Sequence, residues 1–459
     1  MIEKDISKYK KMFSEYTELR IQENRNCAIS VVNGDIMGNN RSSESGVSAR
    51  VYKKGVWGFS SNPTISDETV QTVIKAATEN ALYLNDRERR NKPPLPVSID
   101  TAEKDFMTGK KRKTQKEMID FLKEIDSYIG KTYTDLTART TVYRCLEMEK
   151  ALLTSEGSRA YSMVPRSIIY TSLSLTKDGQ PFELYEVFGG FGQFEDLFVK
   201  PEDLYEKIDS QYEHLKKKSE GVYAKAGLAD CIFGPDLAGI LSHEAIGHTV
   251  EADIVLGGSI AANYLNKVVA NPNMTMIDYA HTAMGKLCPI PVFVDDEGTK
   301  AEDAVLIENG VLKTFMHNKE SAQHFCVKPT GNARAYTYSD EPIIRMRNTA
   351  IVPGTDKLED MIASIDDGYY LMQASNGQAD STSEFMFGIV KGYEIKNGKL
   401  GKGIKDTTIS GVAFEMLKTI SMISDDMSWS CGGMCGKKQL IPVGMGGPAV
   451  KCKVNIGGK

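Results

Sequence analysis

From residue 297 onward the chain is cut into short pieces by residue pairs that reverse direction. Glu297-Gly298, Asn309-Gly310, Asp367-Gly368, Asn376-Gly377 and Asn397-Gly398 punctuate runs rich in β-branched residues, such as Ala304-Val305-Leu306-Ile307. Pairs of this kind accept positive φ and close two-residue hairpins. So many reversals predict a mostly antiparallel sheet or barrel. One segment stands apart from that texture: Gly234-Pro235-Asp236 puts a proline in a first helical turn, and Leu237, Ile240, Leu241 and Ala245 carry the helix on to about Ala252.

The first half reads differently. Ile6, Tyr9, Phe13 and Tyr16 recur every three to four residues and predict an amphipathic helix. Segments beginning at Ala28, Gly46 and Val56, divided by turn signals at Asn33-Gly34 and Lys54-Gly55, predict an antiparallel meander. A helix follows Ser66, with Val70, Val73, Ile74, Ala77 and Ala81 on one face. The hydrophilic stretch from Asp86 to Pro96 predicts a surface connection, because its prolines remove donors and fix φ. Thr114 and Glu117 form a capping box for a helix with Met118, Phe121, Leu122, Ile125 and Ile129 inward. Strands run on through Leu184, and a last helix near 201–218 ends in Lys216-Lys217-Lys218. A chain of 459 residues exceeds what one core serves. The expectation is an α+β protein of two domains: 1–220, an N-terminal α/β domain with helices on a mostly antiparallel sheet, and 221–459, a β-rich, barrel-like domain carrying the helix.

Charge narrows the function classes. Lys+Arg number 56 against 61 Asp+Glu, a net charge of −5, which excludes a general nucleic-acid coat. The runs Lys110-Lys111-Arg112-Lys113 and Lys216-Lys217-Lys218 read as solvated helix ends, so no direct nucleic-acid partner is expected. No apolar run reaches about 18 residues and the N-terminus is charged at once, so neither a membrane span nor a signal peptide is expected. Eight mostly scattered cysteines suit a reducing compartment, and the expected location is the cytoplasm.

The helix carries the chemistry. It reads His243-Glu244-Ala245-Ile246-Gly247-His248, two of only six histidines in the chain with a glutamate directly after the first. In the common zinc helix the ligands stand four apart; here they stand five apart, leaving about 140° between them on an ideal helix. Joint ligation then requires imidazole reach, a π-type widening or a local bend, and Gly247 is where a distortion costs least. The alternative is a pair of unrelated helix histidines. A catalytic zinc takes three protein ligands and an open position, and a nearby carboxylate takes a proton from water, a role that falls naturally to Glu244. Soft thiolate suits the third place, and Cys431 and Cys435 lie in a glycine-rich segment; as inert thiols or half of a separate structural site they have other readings. Glu251, one turn past His248, is either an acceptor for an imidazole N–H or an exposed helix carboxylate. His214, His281, His317 and His324 receive no role.

Together with Asp295-Asp296-Glu297-Gly298-Thr299, Leu306-Ile307-Glu308-Asn309-Gly310, Gly331-Asn332, Asn348-Thr349, Gly377-Gln378 and Cys435-Gly436-Lys437-Lys438-Gln439, the helix motif resembles the TldD/PmbA family. These proteins are often labelled modulators of DNA gyrase, and the match is to the TldD-like branch. The resemblance implies a zinc metallopeptidase with one Zn2+ per chain, held by His243, His248 and Cys435, with Glu244 as general acid/base. Cys431 is the alternative thiol. It also implies unfolded or extended peptides as substrate and a dimer, either a homodimer or a heterodimer with a PmbA-like paralogue. Asn332, Arg334 and Gln378 fall in family-like loops and are candidate peptide contacts. The competing expectation is a non-catalytic zinc protein that modulates DNA gyrase or a toxin-antitoxin system by binding; the presence of Glu244 argues against it, since a structural zinc needs no base.

Overall fold

The computed structural model describes residues 2–458. Its N-terminal half is built on seven strands: β1 (Tyr16–Val32), β2 (Asp35–Lys53), β3 (Val56–Asn62), β4 (Thr101–Asp105), β5 (Leu136–Thr154), β6 (Arg159–Lys177) and β7 (Gln180–Phe191). They form one sheet in the order β3-β2-β1-β5-β6-β4, with β7 also paired to β6. All neighbours are antiparallel except β4 and β6. Asn33 and Gly34 both take positive φ, 49° and 94°, at the β1–β2 turn, which matches the twist of the strands it joins. Two helices, α1 (Asp67–Glu88) and α2 (Gln115–Thr132), lie on this sheet. Ser66 caps α1 by accepting from the Thr69 N–H, and Thr114 and Glu117 make the reciprocal box at α2.

The two faces of the sheet are chemically opposite, because side chains alternate along a strand. From β1, Leu19, Ile21, Cys27, Ile29 and Val31 point to the helices and are buried there. The intervening Glu18, Arg20, Gln22 and Asn24 are also buried, but against the C-terminal half. Arg20 donates to the carbonyls of Thr337 and Asp340, while Gln22 and Asn24 both donate to the carbonyl of Tyr336. Arg50 on β2 joins Glu18 and Glu297, and Lys150 on β5 meets Asp296 at 2.7 Å. The β1 and β2 part of the interface between the halves is thus polar, while apolar residues such as Phe106, Leu152 and Val164 face Ile290 and Phe293 farther along the sheet.

The C-terminal half contains a closed five-strand barrel. Asp367–Ala379 pairs with Gly227–Phe233, which pairs with Val450–Ile456, then Thr407–Val412, then Glu384–Lys396, and the last returns to Asp367–Ala379. One of these pairings, Gly227–Phe233 with Asp367–Ala379, is parallel. Leu237, Leu241 and Ala245 of the motif segment share one apolar cluster with Phe233, Leu371, Phe387 and Val454 of the barrel. Among the described residues no helix is long and apolar enough to cross a membrane.

Several expectations need correction. The first helix is only a 3-10 segment, Ser7–Met12, and Tyr16 already opens β1, so the apolar spacing there straddles two structures. The connection expected from Asp86 starts late: α1 runs to Glu88 and stops where Arg89 turns left-handed, at φ 47°. Asp367-Gly368 and Asn376-Gly377 are not turns but lie within one strand. Gly368 is there for close approach, since a Cβ would sit 2.2 Å from the Asp230 carbonyl oxygen. Of the basic runs, Lys218 is buried and donates to the Glu183 carbonyl, and Arg112 lies in a loop paired with Glu147 and Glu195.

Candidate metal centre

The motif segment begins as an ordinary α-helix, Pro235–Ile240, and then widens. Over Leu241–Gly247 it is a π-helix, in which the His248 N–H donates to the His243 carbonyl five residues back. A short 3-10 turn, His248–Val250, and an extended Glu251 follow before Ala252–Leu256 resumes, so the single helix expected to Ala252 is a jointed one. The widening settles the spacing problem: with hydrogen bonds reaching five residues, positions five apart stack as positions four apart do on an α-helix. The two imidazoles stand with centroids 5.1 Å apart and planes at 80°. Gly247 makes room for this turn, because a Cβ there would lie 2.1 Å from Met346 Sδ.

His243 is fully buried, and neither of its ring nitrogens has a hydrogen-bond partner. An unsatisfied buried polar group costs about 1–3 kcal/mol, so such a ring implies a ligand. The Cys435 Sγ lies 3.4 Å from His248 Nε2, and donor atoms of His243, His248 and Cys435 all fall within 4.8 Å of one another. Two imidazoles and a thiolate suit zinc, and three protein donors leave one position open. Burial opposes ionisation of Cys435, but His243 and His248 outweigh it and bring the thiol down to about 3. Burial likewise opposes the charge on His248, yet Cys435 and Glu251 hold its pKa up at about 10. The cluster therefore separates charge, and a cation would take the place of the shared proton.

Glu251 sits behind His248. It is fully buried, with Oε2 2.8 Å from His248 Nδ1 and 3.2 Å from Lys437 Nζ, so the reading as an exposed helix carboxylate does not hold. Glu244 sits beside the cluster: its side chain is 29% exposed and its Oε2 is 3.8 Å from His248 Nε2.

Cys435 reaches the cluster from a segment with little regular structure, the two-residue strand Met434–Cys435 paired with Ile441–Pro442. Buried arginines grip that segment by its carbonyl groups. Arg345, fully buried, donates to the carbonyls of Cys435, Lys437 and Gln439 at 2.7–2.9 Å. Arg166, from β6 in the N-terminal half, donates to the carbonyls of Cys431 and Gly433. Lys437 closes the arrangement on the other side through Glu251, Asp253 and the Ile344 carbonyl. Sequence reasoning assigned no role to Arg166, Arg345 or Lys437; the carbonyl groups that the two arginines grip leave no side-chain motif to find, and the carboxylates that Lys437 meets lie more than 180 residues earlier in the chain.

The remaining candidates are placed elsewhere. Cys431 Sγ contacts the Trp429 carbonyl at 3.6 Å and is not among the clustered donors. Asn332 is buried and donates to Asp278 and the Arg345 carbonyl, and Arg334 donates to the carbonyls of Met346 and Pro442. Both direct these donors inward. Gln378 is exposed on the strand Asp367–Ala379.

The profile of the PmbA/TldA metallopeptidase C-terminal domain matches residues 226–458, and that of domain 1 of the same metallopeptidases matches 17–81. A metalloprotease of Methanocaldococcus jannaschii is 31% identical over 95% of this chain and 96% of its own. A zinc metalloprotease TldD homolog of Saccharolobus solfataricus is 30% identical over 90% of each chain. The crystal structure of TldE from Thermococcus kodakarensis superposes over 99% of both chains with a TM-score of 0.75 at 20% identity.

Proposed function

Because the chain belongs to the PmbA/TldD metallopeptidase family, we propose that it is a zinc-dependent peptidase acting on unfolded or extended peptides, with Glu244 as general acid/base. The observation that carries this reading is His243: a buried imidazole with two unpartnered nitrogens, facing a second imidazole and a thiolate, with the partly exposed Glu244 carboxylate alongside. His243, His248 and Cys435 would hold the zinc. A zinc ion there supplies Lewis-acid polarisation of a peptide carbonyl and activation of water. The residues of the chain do the rest. Glu251 accepts from His248 Nδ1 and so presents Nε2 to the cluster. Glu244 accepts a proton from the attacking water and returns it to the departing amine nitrogen. Lys437 pairs with the buried Glu251 and the partly exposed Asp253, offsetting part of their charge beside the site.

An extended peptide fits such a site better than a folded protein, because it offers its backbone to a strand edge without unfolding. A dimer with a second copy or a PmbA-like paralogue belongs to the same proposal, and sizing the protein alone and with such a paralogue tests it. The central test is a mass-spectrometric time course on an unstructured peptide mixture, with zinc-loaded wild type and equally loaded Glu244→Ala side by side. Cleavage by the wild type alone is expected. Equal cleavage by both would remove Glu244 from the chemistry, and cleavage by neither, with the paralogue present, would overturn the peptidase reading.

A further inference from the structure

Two pairs of cysteines face each other across neighbouring antiparallel strands. Cys27 on β1 lies directly opposite Cys145 on β5, and Cys231 lies opposite Cys452 in the barrel. All four are free thiols. Directly opposed residues on antiparallel strands have Cα atoms about 4.5–5.5 Å apart, inside the 4.4–6.8 Å range that a disulfide spans. Backbone position alone thus permits a bond in either pair.

Their surroundings differ. Cys231 and Cys452 are at most 1% exposed, and burial pushes both thiols well up, so neither is a ready nucleophile. Cys27 is 7% exposed and Cys145 is only partly buried, on the sheet face that α2 covers. Arg41 of β2 stands opposite Cys27 on its other side. The neighbouring Cys145 and, to a smaller extent, Arg41 outweigh burial and bring Cys27 down to about 6, while the nearness of Cys27 and burial push Cys145 up. Cys27, flanked by Arg41, is the sulfur that ionises more readily and Cys145 the one that keeps its proton, the division of labour of an attacking and a resolving thiol.

We propose that Cys27 and Cys145 form a thiol–disulfide exchange site, at which a low-molecular-weight disulfide such as glutathione disulfide converts them to a cross-strand disulfide between β1 and β5. The Cys27 thiolate attacks one sulfur of the small disulfide, forming a mixed disulfide and expelling one small thiolate. Cys145 passes its proton to that thiolate and attacks the Cys27 sulfur. This forms the Cys27–Cys145 bond and expels the second small thiolate, which takes up the proton Cys27 released on ionising. Two protein thiols are oxidised to one disulfide, and one small disulfide is reduced to two thiols. The partial exposure of Cys145 leaves the bond open to reduction, as labile disulfides are.

The test uses the full-length, zinc-loaded protein incubated with glutathione disulfide, alkylated, digested and mapped by mass spectrometry. A linked Cys27–Cys145 peptide that disappears on treatment with dithiothreitol is expected, with Cys231 and Cys452 still alkylated as thiols after denaturation. Recovery of Cys27 and Cys145 as free thiols, or as a lasting mixed disulfide without the link, would overturn the proposal. Cys145→Ser should trap one glutathione on Cys27, and Cys27→Ser should slow modification of Cys145 by about tenfold or more. A Cys145→Ser protein that stays unmodified would show that Cys27 is not the attacking thiol.

Discussion

The metal cluster is supplied by two regions that hold their ligands in different ways. His243 and His248 come from a segment locked by packing: its apolar residues share the barrel core, and Gly247 of its widened turn leaves room for Met346. Cys435 comes from a segment with almost no regular hydrogen bonding, held by guanidinium groups that grasp its carbonyls. Packing places a helix by volume, whereas an irregular loop offers only unpaired carbonyls, and a buried arginine with five donors satisfies several at once. Glu251 and Lys437 tie the two regions together, one on each side. The contrast teaches that a ligand set need not share one kind of support.

The largest effect expected from any single change separates holding from chemistry. Glu244→Ala should lower turnover by about 10²–10⁴-fold with zinc content unchanged, measured by peptide cleavage against elemental analysis. Loss of zinc instead would make Glu244 part of the support. Next, Arg345→Met should weaken zinc binding by about 10–100-fold in a chelator competition, since the carbonyls of Cys435, Lys437 and Gln439 lose their donor. An unchanged affinity would show that the strand pairing with Ile441–Pro442 holds Cys435 by itself. Glu251→Ala should weaken binding by about tenfold, by releasing His248 and leaving Lys437 without one of its carboxylates. The smallest effect is expected from Lys437→Met, within a few-fold. Combined with Glu251→Ala it should add less than its separate effect, because the two residues are in contact; full additivity would mean that the two regions are independent.

What the sequence made legible followed local rules. Helices α1 and α2 were readable because each carries both a cap and a 3.6-residue apolar face, so two independent signals agree. The His-x₄-His spacing announced a distortion without saying which; the need for glycine at 247 comes from Met346, a residue about a hundred positions away. The first segment misled because Ile6 and Tyr9 do pack inward from a 3-10 turn, and Tyr16 then continues the spacing by accident from the start of β1. Gly368 looked like a turn residue, whereas its requirement is the nearness of the Asp230 carbonyl, which only the assembled barrel reveals. Arg345 was invisible for the same reason: its partners are backbone atoms 90 or more residues further on.

The two-faced N-terminal sheet bears on how the protein is made. Arg20, Gln22 and Asn24 find their carbonyl partners in residues 336–340, more than 300 positions later in the chain. At 5–20 residues per second, a ribosome takes roughly 15–60 s to deliver them. Throughout that interval the helix-facing side of the sheet has its own partners, while the other side waits. Had β1 carried apolar side chains there, it would have offered each nascent chain an adhesive strand to its neighbours. Along β1, where that side carries Glu18, Arg20, Gln22 and Asn24, it is satisfied by water until residues 336–340 have been made.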